Sequence, residues 1–244
     1  MTRFFVSPDV VNGKFAVLTG ENATHAKVLR LKEGDMVVLC CGDGQDYNCT
    51  ISHVAQGQIG LVVQETLPSH TEPSVRCQVF MAFPKADKLE HVIQKATELG
   101  ADEIIAFPSQ RCVSRPDSKS LGKKLERWQK IAASAAEQSG RGQIPTVRAL
   151  ESFREAVKLA SQAENPVLLY ENEENYSLKN ALEDTPCKTV SLMTGPEGGF
   201  TTEEIQIAKE AGLKICTLGP RILRCETAPL CALTAVMFFY GELD

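Results

Sequence analysis

The stretch MTGPEGGFTTEE (Met193–Glu204) follows the apolar run Thr189-Val-Ser-Leu-Met193, and Thr201 with Glu204 stands at capping-box spacing before a helical pattern. Strand, glycine turn and helix in that order belong to an α/β fold, whose ligands sit beyond the carboxyl ends of the strands. Such a turn commonly cradles phosphate, yet this one carries Glu197. A helix N-terminus contributes ~0.3–1 kcal/mol to a bound anion. A glutamate ~4 Å from a phosphate repels it by ~4 kcal/mol at an effective dielectric near 20. The repulsion is the larger effect. Neither G-x-G-x-x-G nor G-x-x-x-x-G-K-[ST] occurs, so dinucleotide and ATP sites are disfavoured.

A second loop is placed in the same way. Leu218-Gly-Pro-Arg-Ile-Leu-Arg-Cys-Glu-Thr-Ala228 follows the strand pattern Ile215–Leu218 and opens a helix expected from Glu226 to Phe239, with Thr227 as its cap. Two elaborate loops, each with an acid, suit a ligand with an apolar body, amide-like edges and positive charge.

Working outward, residues 71–244 alternate strands and helices. Strands are expected at Val79–Phe83, Ile104–Phe107 and Val167–Tyr170, with helices from Asp87 (a cap, Glu90 at box spacing) to Gly100, Ser118–Ser139, Phe153–Ala163 and Ser177–Leu182. That alternation predicts a mainly parallel sheet covered on both faces. Residues 1–70 read as β-rich instead. Short runs at Phe4–Val6, Phe15–Leu18, Met36–Cys40 and Ile59–Val63 are divided by turns, with one helix near Asn22–Leu31, which predicts a small barrel or sandwich. Leu67–Ser74, with two prolines, reads as a linker.

The 244 residues carry net charge −5, unevenly spread. Residues 1–75 hold 5 basic and 8 acidic side chains, residues 76–148 hold 13 and 8, and residues 149–244 hold 8 and 15. The central excess comes from a strip between Arg111 and Lys130, which is either a phosphate-backbone contact or a solvated helix face. Nine scattered cysteines without a C-x-x-C pair fit buried thiols in a reducing, cytoplasmic setting. No metal site is expected: Cys49-x-x-x-His53 has poor ligand spacing. Met1–Val6 has no signal-peptide core, and Ala228–Tyr240 is too short to span a bilayer and reads as a buried helix, so no membrane partner is expected.

Together, Gly195-Pro-Glu-Gly-Gly-Phe200 and the loop Leu218–Ala228 resemble the RsmE family, bacterial methyltransferases of the SPOUT superfamily. The likeness extends to Gln94–Gly100, Arg127-Trp128, Ala136–Arg141, Pro145, Arg3-Phe-Phe5 and His25-x-x-x-Leu29-Arg30. Cys225 departs from it, where the family usually has threonine. The resemblance implies a PUA-like β-barrel RNA-binding domain (1–70) and a SPOUT domain (71–244) with a parallel sheet and C-terminal trefoil knot. It implies a homodimer that methylates N3 of a uridine in 16S ribosomal RNA, free or in the assembled small subunit, using S-adenosylmethionine.

By the same resemblance, the cofactor pocket is expected from Leu169, Tyr170, Glu171, Thr194, Gly195, Pro196, Glu197, Gly198, Leu218, Gly219, Ile222, Leu223, Arg224, Thr227 and Ala228. Uridine N3 must lose its imide proton, which a carboxylate can accept while an arginine stabilises charge on the flanking carbonyl oxygens. Arg224 with Glu226 is one such pair, and Glu98 with Arg141 another. Expected RNA contacts are Arg3, His25, Arg30, Arg111, Arg115, Lys123, Lys124 and Arg141. A non-catalytic ribosome-assembly factor and a nucleotide-binding enzyme are the competing readings.

Overall fold

The computed structural model describes residues 1–117 and 119–244, with Ser118 placed only as a helix position. Two compact units form: Met1–Glu72 with Ala136–Ile144, and Pro73–Ala135 with Pro145–Asp244.

The first unit contains β1 (Thr2–Phe5), β2 (Val11–Asn12), β3 (Phe15–Thr19), α1 (Gly20–Val28), β4 (Met36–Cys40), β5 (Gln45–Ala55) and β6 (Gln58–Pro68). They pair in the order β1-β4-β5-β6-β3-β2, with only β1 and β4 parallel among the described pairs. Phe4, Leu18, Leu39, Ile51 and Leu61 fill the core. Strand β5 was not among the expected elements. Its polar composition hides an alternation of Tyr47, Cys49 and Ile51 toward the core, and a register shift after Ile51 carries it on to Val54. Helix α1 ends before the expected Leu31 because Arg30 takes a left-handed φ of 57°. The Leu31 N–H donates to Ala26 and the Arg30 N–H to Lys27, closing the last turn where glycine is usual.

The second unit contains β7 (Arg76–Ala82), α2 (Lys88–Glu98), β8 (Glu103–Phe107), α3 (Ser118–Ser139, to Ala135 in this unit), β9 (Thr146–Ala149), α4 (Phe153–Ala160), β10 (Asn165–Leu169), α5 (Leu178–Asp184), β11 (Thr189–Thr194), α6 (Thr202–Glu210), β12 (Lys214–Cys216) and α7 (Thr227–Phe239). The six strands are parallel, in the order β12-β10-β11-β7-β8-β9. The chain runs outward from β7 to β9, returns beyond β7 to β10, and then inserts β11 between them. Such a reversal opens a crevice at the carboxyl ends of the strands. Helix α7 packs on β7, β11, α2 and α5, while α4 packs on β8 and α6, so both sheet faces are covered. The short strand β9 was not expected, since Thr146-Val-Arg-Ala149 offers one buried apolar residue.

Two expected caps fail. Asp87 has φ −97° and ψ 10° and makes no side-chain cap, and Thr227 is the first residue of α7, after Glu226. The capping box of Thr201 and Glu204 forms: the Glu204 N–H donates to Thr201 Oγ1, and Glu204 Oε2 accepts from the Thr201 N–H. Helix α7 is only half buried, with Phe238 70% and Phe239 42% exposed. No described helix is long and apolar enough to cross a membrane.

Candidate active site

Strands β10, β11 and β12 lie side by side, and the segments leaving their carboxyl ends enclose a cleft of about 880 Å³. Leu169–Glu171, Thr194–Gly198, Leu218–Gly219, Ile222–Arg224 and Ala228 all line it, as expected, whereas Thr227 does not. Glu173, Glu174, Gly199, Thr217, Pro220, Arg221 and Cys225 extend the lining, and Lys88 enters from α2.

The segment after β11 is tightly built. Thr194 Oγ1 donates to the Phe80 carbonyl at its root. At its far end Phe200, 1% exposed, stacks on Phe107 at 6.5 Å and packs on Phe153 at 5.7 Å. Gly195 meets the Gly199 backbone so closely that an added Cβ would lie 3.2 Å away. Gly199 has φ 66°, and a Cβ there would come within 2.1 Å of Glu171 Oε1, so glycine lets that carboxylate lie against the loop backbone. Outside, Arg111 donates to the Gly198 carbonyl at 2.8 Å, and buried Glu204 accepts from the Gln110 N–H at 2.8 Å.

Glu197 points away from the role of a lone charge. Its Oε1 accepts from Lys88 Nζ at 2.9 Å and from the Lys85 N–H at 3.1 Å. Burial alone would raise its pKa, but Lys88 and the backbone N–H groups of Glu197 and Lys85 outweigh that and hold it down at about 2. Lys88 also lies 3.2 Å from Glu226 Oε2. Glu226, which the sequence reading paired with Arg224, is thus tied to Lys88, and its own N–H heads the influences that lower its pKa. The Cys225 thiol donates to Glu226 at 3.2 Å, and burial pushes it up to about 12, so it acts as a neutral donor. Threonine at that position would offer an equivalent donor. Arg224 is exposed on the cleft wall.

The remaining expected residues have mixed placements. Glu98 pairs with Lys95 at 2.8 Å; Arg141 is 4% exposed and bound to Glu72 at 2.5 Å. Arg3, expected to meet RNA, is 9% exposed, its guanidinium bound to both Asp46 oxygens at 2.6 and 2.8 Å. His25 packs edge-on against Phe4 and lies 3.5 Å from Glu137. Arg30, Lys123 and Lys124 are exposed. Arg115 donates to the Ser109 carbonyl, and Arg127 binds Glu90 at 2.6 Å, so the basic strip is partly committed to the protein itself.

Comparison with known proteins agrees with this layout. The family model of an RNA methyltransferase domain matches residues 71–237, and that of an RNA methyltransferase PUA domain matches residues 18–63. The Ribosomal RNA small subunit methyltransferase E of Bacillus subtilis is 38% identical, over 98% of this chain and 96% of its own length. That of Mesomycoplasma hyopneumoniae is 35% identical, over 96% and 98% respectively. The crystal structure of the Neisseria gonorrhoeae enzyme of that name, bound to S-adenosylmethionine, has a TM-score of 0.89 and 31% identity, covering 100% of both chains.

Proposed function

The chain belongs to the ribosomal RNA small subunit methyltransferase E family, and from that premise we propose that it transfers a methyl group from S-adenosylmethionine to N3 of a uridine in 16S ribosomal RNA. The observation that carries this reading is the convergence of three strand ends, with their glycine loops, on one cleft.

The donor set suits the cofactor. Leu169, Leu218, Ile222 and Leu223 offer apolar cover for a planar base, and backbone around Gly195, Gly198 and Gly219 can meet its polar edge. Four lining carboxylates, Glu171, Glu173, Glu174 and Glu197, favour a cationic ligand, and Lys88 already neutralises Glu197. Glu173 is also partly occupied, accepting the Asn175 and Tyr176 N–H groups at 2.9 and 3.1 Å. Glu171 therefore takes the ribose hydroxyls or the ammonium in this reading. When bound, the cofactor supplies an electrophilic methyl group, and the protein's part is chiefly orientation.

For the target base, Arg224 stabilises negative charge on the uridine carbonyl oxygens, and Glu226 is the assigned proton acceptor. Its tie to Lys88 makes it a weak base until that tie opens. Glu226→Gln should lower turnover with cofactor affinity unchanged; normal turnover would remove it from the role. N3 lies on the Watson–Crick edge, so the target uridine is unpaired or flipped. His25, Arg30, Lys123 and Lys124 supply phosphate contacts in this reading. The exposed Phe238, Phe239 and Leu243 support a homodimer joined near α7, and the inserted order of β11 fits the trefoil knot that family resemblance implies. The free thiols suit a cytoplasmic site of action. Calorimetry with S-adenosylmethionine and with ATP tests the cofactor assignment: binding of the first alone is expected, and no binding of it would overturn the reading.

A further inference from the structure

Lys88 is the first residue of α2, where a cation opposes the helix dipole. Its placement makes sense only through what the ammonium reaches. Nζ lies 2.9 Å from Glu197 Oε1, 3.2 Å from Glu226 Oε2 and 3.7 Å from Cys225 Sγ. Glu197 stands on the loop after β11; Glu226 and Cys225 end the loop after β12. An ammonium has three N–H donors, and three acceptors from two loops surround this one. Lys88 itself lines the cleft, and its side chain is 27% exposed.

We propose that Lys88 is a positioning residue that ties the two loops together at the separation the cofactor requires, and that Glu197 serves this tie rather than the ligand. The proposal rests on the cofactor reading above. It divides the cleft's carboxylates by task, with Glu197 and Glu226 holding the walls and Glu171 left for the ligand. Lysine suits the work because its single charge on a flexible stem can be shared among several acceptors, whereas arginine presents a planar fork.

The test is a double-substitution cycle on the full-length protein, read by calorimetry with S-adenosylmethionine. Lys88→Met should weaken binding by about tenfold, and Glu197→Gln by a similar factor. The double variant should bind no worse than Lys88→Met alone, because residues acting through one contact are not additive. Lys88→Arg should recover most of the affinity, which a general packing role would not predict. Wild-type affinity in Lys88→Met, or losses that multiply in the double variant, would overturn the proposal. Hydrogen exchange without cofactor separates this from a failure of the cofactor reading. Lys88→Met should speed exchange at residues 195–200 and 219–226 together, and unchanged rates in either loop would refute the tie. Absence of cofactor binding by the wild-type protein would instead refute the cofactor reading.

Discussion

The loop after β11 carries anchors along its whole length, whereas the loop after β12 is held mainly at its ends. In the first, Thr194 is bonded below, Phe200 is sunk in the core, and Arg111 and Lys88 hold the middle. In the second, Thr217 and Gly219 bond locally, and Lys88 with Cys225 secures Glu226 at the far end. Between them Arg221 and Arg224 are exposed, and Ile222 is 85% exposed. A ligand cleft built this way has one preformed wall and one free to reseat, and local stability follows the density of such contacts.

The largest expected break in the contrast is Phe200→Ala. It empties the anchor of the first loop and should cost about 3–5 kcal/mol in denaturant unfolding. A loss below about 1 kcal/mol would mean that the loop does not depend on its buried end. Next comes Gly199→Ala, which adds a left-handed strain of roughly 1–2 kcal/mol and displaces the Glu171 carboxylate. Cofactor affinity should fall about tenfold, since ~1.4 kcal/mol is one decade. Gly219→Ala, with φ 101° and open space around its Cβ position, carries the strain alone, so its effect on affinity should be smaller. Equal losses in the two variants would dissolve the distinction.

Arg111→Ala removes a charged hydrogen bond from the first loop, and its exposure limits the cost to about 1 kcal/mol. If Arg111 also meets RNA, the slope of log K against log salt should fall by about 0.7 for single-stranded RNA. A smaller effect is expected from acid. Glu197 is held at about 2 against an ordinary 4.5, so its tie is fully stabilising above about 4.5 and is lost as pH falls toward about 2. The stability gap between the wild type and Glu197→Gln should therefore be constant from pH 5 to 8 and shrink below that range. A gap that shrinks as pH rises would reverse the assignment. Least of all, Ile222→Ser should leave stability within ~0.5 kcal/mol while weakening the cofactor. Unchanged affinity would show that the second loop stays apart from the ligand.

Local patterns revealed the strand, glycine turn and helix order, the Thr201 capping box and the apolar face of α2. Most of the cleft could be named because strands β10, β11 and β12 end in contiguous loop segments. Its central tie could not. Lys88 and Glu197 are 109 residues apart, and a lysine opening a helix looks like an ordinary solvated charge. The basic strip had the same difficulty: Arg127 finds Glu90 and Arg111 finds Gly198 across the fold, while Arg3 is buried on Asp46. Charge counting registers these side chains as available, although their partners have already claimed them. Strand β5 was hidden differently, since its three inward residues are separated by polar ones.

The most direct test is nucleoside mass spectrometry of small-subunit ribosomal RNA from a strain lacking this gene, before and after incubation with the protein and S-adenosylmethionine. The account predicts that 3-methyluridine is absent before and appears after, at one site per 16S molecule. Cofactor binding with no methylated uridine, or a methyl group on another atom, would contradict it.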